Sequence, residues 1–128
     1  MLFIAKFYLN LTERKEIMSL YESVFVLSSN LTEKLAEEKV SKYEDMATKN
    51  GGKILKKEYW GLRSLAYKIK KNSKGHYFFY NLETNYTNIQ EISQKLKIDE
   101  DHLRFLNIKI KEVSKESSLI YKQSKEES

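Results

Sequence analysis

Between Gly61 and Lys70 the chain reads Gly-Leu-Arg-Ser-Leu-Ala-Tyr-Lys-Ile-Lys, behind Tyr59-Trp60 and ahead of Lys74-Gly75-His76-Tyr77-Phe78-Phe79-Tyr80. Cations are interleaved here with aromatic and aliphatic residues. A surface built from such a run offers positive charge to phosphates and flat rings on which bases or apolar side chains can stack. Lys68, Lys70, Lys71 and Lys74 cluster at its end, and Arg63 lies inside it. The same residue types also have plainer uses. Lysine at strand edges and hairpin tips keeps sheets soluble, and strand aromatics pack in cores or across strands. Either way the chemistry on offer is noncovalent: neutralisation of an anionic polymer and burial of an apolar partner surface.

Covalent chemistry finds no such constellation. His76 and His102 lack metal-ligand spacing and a cysteine partner, and there is no Gly-x-x-x-x-Gly-Lys-Ser/Thr loop or nucleophile elbow. The Asp99-Glu100-Asp101 trio lacks calcium-loop spacing and reads as a solvated turn. No catalytic residue, metal, cofactor or small-molecule substrate is therefore expected. A net charge of +5 and a pI of about 9.2 favour an anionic partner. The termini add little to it: residues 1–17 carry three cations against two glutamates, and the stretch from Glu112 carries three lysines against four glutamates. The surplus sits in the middle.

That middle must hold the cations on a folded frame. A chain of 128 residues with 41% hydrophobic and 32% charged residues supports one modest core under a wet surface. Leu20 to Ser28 is rich in Val, Phe and Tyr and reads as a strand. Thr32 then caps a helix whose apolar positions, Leu35, Ala36, Val40, Tyr43, Met46 and Ala47, recur at helical spacing. Gly51-Gly52 is expected to end it as a left-handed cap. Lys53 to Ile69 is a long strand with Gly61 as a bulge, Lys70 to Gly75 a polar turn, and His76 to Glu83 the returning strand. A second helix from about Asn88 carries Ile89, Ile92 and Leu96, and a last strand runs from Leu103 to Lys111. The order β-α-β-β-α-β predicts an α+β, ferredoxin-like fold: a four-stranded antiparallel sheet with two helices on one face. Residues 18–111 form this domain, 1–17 are an extension or an upstream start, and 112–128 are a polar flexible tail.

The other sheet face is left open. In the first strand Val24 and Val26 lie opposite Phe25 and Leu27, so both faces carry apolar residues. Two readings fit: singly exposed strand formers, or a surface that a protein or RNA partner covers. Alternation likewise separates Tyr77 and Phe79 from His76, Phe78 and Tyr80 without saying which set meets the helices. In the last strand Leu106, Ile108 and Ile110 read as the core side, with Lys109 and Lys111 opposite. No cysteine is present, which suits a reducing compartment such as the cytoplasm. The opening Met1-Leu2-Phe3-Ile4-Ala5-Lys6 is broken by its lysine and lacks a basic leader and cleavage site. Neither a signal peptide nor a membrane partner is expected.

The run Gly61, Arg63, Leu65, Ala66, Tyr67, Ile69 and Lys70 resembles the signature strand of the bacterial small-subunit ribosomal protein six family. Tyr21-Glu22-x-Val24-Phe25-Val26-Leu27, Gly51-Gly52-Lys53-Ile54 and Leu103-Arg104-x-Leu106-x-Ile108-Lys109 follow the family order from about Met18 to Lys111. The resemblance implies a non-catalytic, ribosome-associated protein that pairs with small-subunit ribosomal protein eighteen and binds the central domain of small-subunit ribosomal RNA. Arg63, Lys68, Lys70, Lys71, Lys74, Arg104, Lys109 and Lys111 are then the candidate RNA contacts, and Val24, Val26, Tyr59, Trp60 and Tyr67 the candidate partner contacts. An alternative is a free-standing RNA-recognition module of the same topology. Lys74 to Asn81 departs from its aromatic signature, however, with Tyr77 where Gly or Ala is expected and Asn81 where an aromatic is. A more remote alternative is an acylphosphatase-like enzyme, which needs an arginine in the anion loop that here reads Ser28-Ser29-Asn30-Leu31-Thr32.

Overall fold

The computed structural model describes residues 17–113. Its strands are β1 (Met18–Ser28), β2 (Lys53–Ile69), β3 (Asn72–Asn85) and β4 (His102–Ile110). Its helices are α1 (Glu33–Ala47), after β1, and α2 (Tyr86–Ile98), after β3. The sheet order is β2-β3-β1-β4, and every neighbouring pair is antiparallel. Both helices cover one face, the arrangement expected from the element order. The expected extension 1–17 and tail 112–128 fall almost wholly outside the described residues.

Local chemistry explains the helix limits. Thr32 is extended, and its side chain accepts from the Leu35 N–H at 3.2 Å, satisfying a donor that the first turn of α1 leaves orphaned. Asn85 does the same for the Asn88 N–H at 2.7 Å, so α2 opens at Tyr86 rather than near Asn88. At the end of α1 the left-handed residues are Asn50 and Gly51, one position earlier than expected, while Gly52 is extended.

Apolar stripes on the helices meet alternate residues of the central strands. Ala36, Val40, Tyr43 and Met46 from α1 and Ile89, Ile92 and Leu96 from α2 pack with Tyr21, Phe25, Leu27, Phe78, Tyr80 and Leu82. This is the core, and burying such side chains supplies the main driving force for folding. Alternation is thereby settled for β3: His76, Phe78 and Tyr80 face the helices, and Tyr77 and Phe79 face away. Phe25 sits at the centre, its ring 5.7 Å from Tyr43, 5.5 Å from Tyr80 and 4.8 Å from Phe105.

β4 reverses the expected phase. Phe105 takes the helix side against Phe25, whereas Leu106 and Ile108, expected in the core, are 49% and 61% exposed on the open face. Asn107 and Lys109 share Phe105's side and line a cleft with Tyr21, Tyr86 and Gln90. The helix layer stops short there, so an edge strand can carry polar residues on its inner side and apolar ones outside.

Polar locks tie the layers together. Asp99, after α2, accepts from Lys39 Nζ at 2.6 Å, from Tyr43 Oη at 2.7 Å and from the Asp101 N–H at 2.9 Å. Burial alone would raise its pKa, but these donors and the Lys39 charge outweigh that and hold the carboxyl below its ordinary value. A depressed pKa means that the carboxylate's stabilisation is complete above about pH 4 and is lost as the pH falls through the folded-state value. Urea midpoints recorded from pH 6 down to 2.5 should therefore fall more steeply for the native chain than for Asp99→Asn. At pH 6 the variant should itself be less stable by about 1.5–3 kcal/mol, the range for a hydrogen-bonded charged group. Parallel profiles would show that Asp99 carries no such linkage.

Candidate ribonucleoprotein interface

β2 and β3 form the longest hairpin, and its end builds the cationic part of the site. Ile69 pairs with Asn72, so the turn is only Lys70-Lys71, and β3 begins at Asn72 rather than after Gly75. Both lysines adopt positive φ, 47° and 67°. Two-residue hairpin turns demand this conformation and normally recruit Asn-Gly, because a side chain there is strained. Asn72 compensates: its Oδ1 accepts from the Ser28 and Ser29 hydroxyls at 3.1 and 2.7 Å, and its Nδ2 donates to the Ile69 and Lys70 carbonyls. In the Ser28–Thr32 loop, the two serine hydroxyls thus serve the hairpin and the Thr32 hydroxyl caps α1.

The hairpin end reaches across to the far edge of the sheet. Lys70 Nζ donates to the His102 carbonyl at 2.8 Å, and Arg104 Nη2 donates to Tyr67 Oη at 3.1 Å with the guanidinium 5.8 Å from the ring centre. These contacts join β2 to β4 although the two strands lie at opposite edges. Lys68, Lys71, Lys74 and Arg104 are left exposed around the tip, while Lys70 is partly spent on backbone. His102 adds no charge near neutral pH, since burial and the Lys70 charge lower its pKa.

Below the tip, the register lays out the open face in rows. The first holds Gly61, Tyr77, Val26 and Arg104; the second Glu58, Phe79, Val24 and Leu106; the third Lys56, Asn81, Glu22 and Ile108. A bulge between Tyr59 and Gly61, with Gly61 at φ 90°, leaves Trp60 as an extra residue on this side. Its indole stacks on Phe79 at 5.2 Å and on Tyr77 at 6.5 Å, and its Nε1 donates to Glu58 Oε1 at 3.1 Å. Arg63 Nε donates to the Trp60 carbonyl at 2.9 Å, which fixes the guanidinium beside the stack. Gly75 is required by Val26: a Cβ there would lie 2.6 Å from the valine Cγ1.

The structure therefore gathers Arg63, Lys68, Lys70, Lys71, Lys74 and Arg104 near one end of the sheet, with Val24, Trp60 and Tyr67 beside them, whereas Val26, expected as a partner contact, is only 1% exposed because it packs against Gly75. Three expected site residues stand apart. Tyr59 points to the helix side, its ring tilted against Phe78 at 4.8 Å and its hydroxyl hydrogen-bonded to His76 Nδ1 at 2.8 Å, because it pairs directly with the inward-facing Phe78. Lys109 lies on the helix side, five residues and so roughly 16 Å along the strand from Arg104. Lys111 is exposed just past the end of β4. Sequence reasoning missed Leu106 and Ile108 as surface residues; the signal that could have found them was Phe105, the bulkier candidate for the core.

Among the described residues no group of three or more His, Cys, Asp or Glu could hold a metal ion, and no helix is long and apolar enough to cross a membrane. The family model for ribosomal protein S6 matches residues 20–109, which span all four strands and both helices. The chain belongs to the ribosomal protein S6 family. Small ribosomal subunit protein bS6 of Rickettsia felis is 42% identical over 110 residues, covering 86% of this chain and 91% of that protein. The bS6 protein of Granulibacter bethesdensis is 41% identical over 103 residues, covering 80% and 67%. A crystal structure of 30S ribosomal protein S6 from Thermotoga maritima superposes with a TM-score of 0.67 at 28% identity, over 73% of this chain and 88% of that one. S6 membership makes the chain a non-enzymatic, ribosome-associated component of the small subunit.

Proposed function

We propose that this S6-family chain binds the central domain of small-subunit ribosomal RNA as a pair with small-subunit ribosomal protein eighteen, in the cytoplasm. The observation that carries the reading is the division of labour at one end of the sheet. Exposed cations ring the hairpin tip, and an uncovered apolar surface of Val24, Leu106, Ile108 and the Trp60 stack lies directly below. Cations positioned on a rigid hairpin neutralise phosphates and set orientation, while an apolar face of this kind suits a protein. One partner of each class fits better than RNA alone, because the flat rings of Tyr77 and Phe79 are engaged by Trp60 rather than open for bases.

Binding to a central-domain transcript checks this. The chain with protein eighteen should bind at least about 100-fold more tightly than the chain alone, and affinity should fall steeply with salt. Equal or tighter binding of single-stranded RNA by the chain alone would replace the proposal with a free-standing RNA-recognition module.

A further inference from the structure

The third row of the open face holds two neighbouring acceptors, of which the buried one is unsatisfied. Asn81 is 1% exposed, and its Oδ1 has no hydrogen-bond partner. Glu22 sits directly across from it on β1, half-buried, with no hydrogen bond or ion pair to another described residue. A buried acceptor without a donor destabilises the free protein, and native structures rarely keep one without a use. Both groups are acceptors facing the same open surface, so what completes them is a donor from outside.

We propose that Glu22 and Asn81 form the receptor for an arginine of the protein that covers the open face. The guanidinium donates to the Glu22 carboxylate and to Asn81 Oδ1 together. Side chains directly opposite on neighbouring strands stand about 5 Å apart, a gap that a planar fork of donors bridges and a single ammonium does not. The exposed Ile108 beside Glu22 and Leu106 one row on provide the apolar rim that dries the contact. Phosphate is less favoured here than at the tip, since Glu22, Glu83 one row beyond and Glu58 one row before it outnumber Lys56 and Lys53 on the same face. RNA thus belongs at the hairpin end and a basic protein segment at this end.

The inference rests on the proposed pairing, and the test separates the two. Purified protein eighteen is titrated calorimetrically into the native chain and into Glu22→Gln, Asn81→Leu and Glu83→Gln chains. Glu22→Gln and Asn81→Leu should each weaken binding by tenfold or more, and Glu22→Gln should flatten the salt dependence. Glu83→Gln should stay within about threefold. The urea midpoint of the free Asn81→Leu chain should hold or rise, because an unpaired acceptor is removed; a purely structural asparagine would give a fall. Unchanged affinity in both receptor variants, or equal loss in Glu83→Gln, overturns the receptor while leaving the pairing intact. Failure of the native chain to bind protein eighteen overturns the pairing and the receptor together.

Discussion

Phe25→Ala is expected to destabilise the domain by about 3–5 kcal/mol, the range for removing a buried aromatic ring. The ring is 2% exposed and touches Tyr43 on α1, Tyr80 on β3 and Phe105 on β4. Its removal leaves a cavity among three other aromatic rings drawn from three different elements. None of them can move to fill the gap without dragging its own element along. Domains of this size hold only about 5–15 kcal/mol in total, so the variant should sit near the edge of unfolding at 25 °C. Urea denaturation reads the loss as a lowered midpoint with the slope preserved. Val24→Ala, one residue away on the opposite face, should lose less than about 1.5 kcal/mol, because Val24 is only partly buried in the free chain. Similar losses at both positions would contradict the assignment of faces.

That pair of neighbours also shows how far the sequence could be read. Period-two alternation separated Phe25 and Leu27 from Val24 and Val26, and helical spacing marked Val40, Ile92 and Leu96, because each pattern follows directly from backbone geometry. The caps at Thr32 and the bulge at Gly61 were legible for the same reason: a side-chain acceptor and a missing Cβ act locally. What failed was phase at the margins. In β4 both alternation sets contain apolar residues, and only the position of Phe105 against Phe25, set by pairing with β1, decides which goes inside. In β2 the irregularities at Ile54–Lys56, Tyr59–Gly61 and Ser64–Ile69 break the alternation three times, so no face could be carried along the strand, and Tyr59, grouped with Trp60 as a partner contact, packs against the core instead.

The candidate site was legible by composition more than by geometry. The lysine cluster, Arg63 and Arg104 stood out as charges, but nothing local brings Tyr67 to Arg104 or Lys70 to the His102 carbonyl. Those contacts span 37 and 32 residues and depend on the hairpin bending across the sheet. The two-lysine turn was misplaced because lysine is a poor left-handed residue. Its strain is held by Asn72 and the serines of the β1–α1 loop, a compensation visible only in three dimensions. Strain and cation density thus coincide at one tip, and surrounding structure rather than local preference keeps the charges together.

The second large effect follows from that tip. Replacing Lys68, Lys71, Lys74 and Arg104 together by glutamine should lower the affinity of the chain and protein eighteen for a central-domain transcript by roughly three to four decades near 0.1 M salt. Each phosphate contact releases counterions and contributes about 0.9 to the slope of log affinity against log salt, hence nearly one decade at this concentration. Four contacts should therefore also reduce the slope by about 3 to 4. Lys70 is left in place because its ammonium donates to the β4 backbone at His102, so its loss would confuse folding with binding, whereas Arg104 meets only the exposed Tyr67 side chain, a contact worth little to stability. Lys109→Gln is the internal comparison, since its side chain lies on the helix side far from the tip; it should change affinity by less than about threefold. The four replaced residues are exposed, so the urea midpoint of the variant should stay close to that of the native chain. If the quadruple variant keeps its salt slope, the phosphates are met elsewhere, and if Lys109→Gln produces the larger loss, the RNA lies along the α2 side instead of at the hairpin.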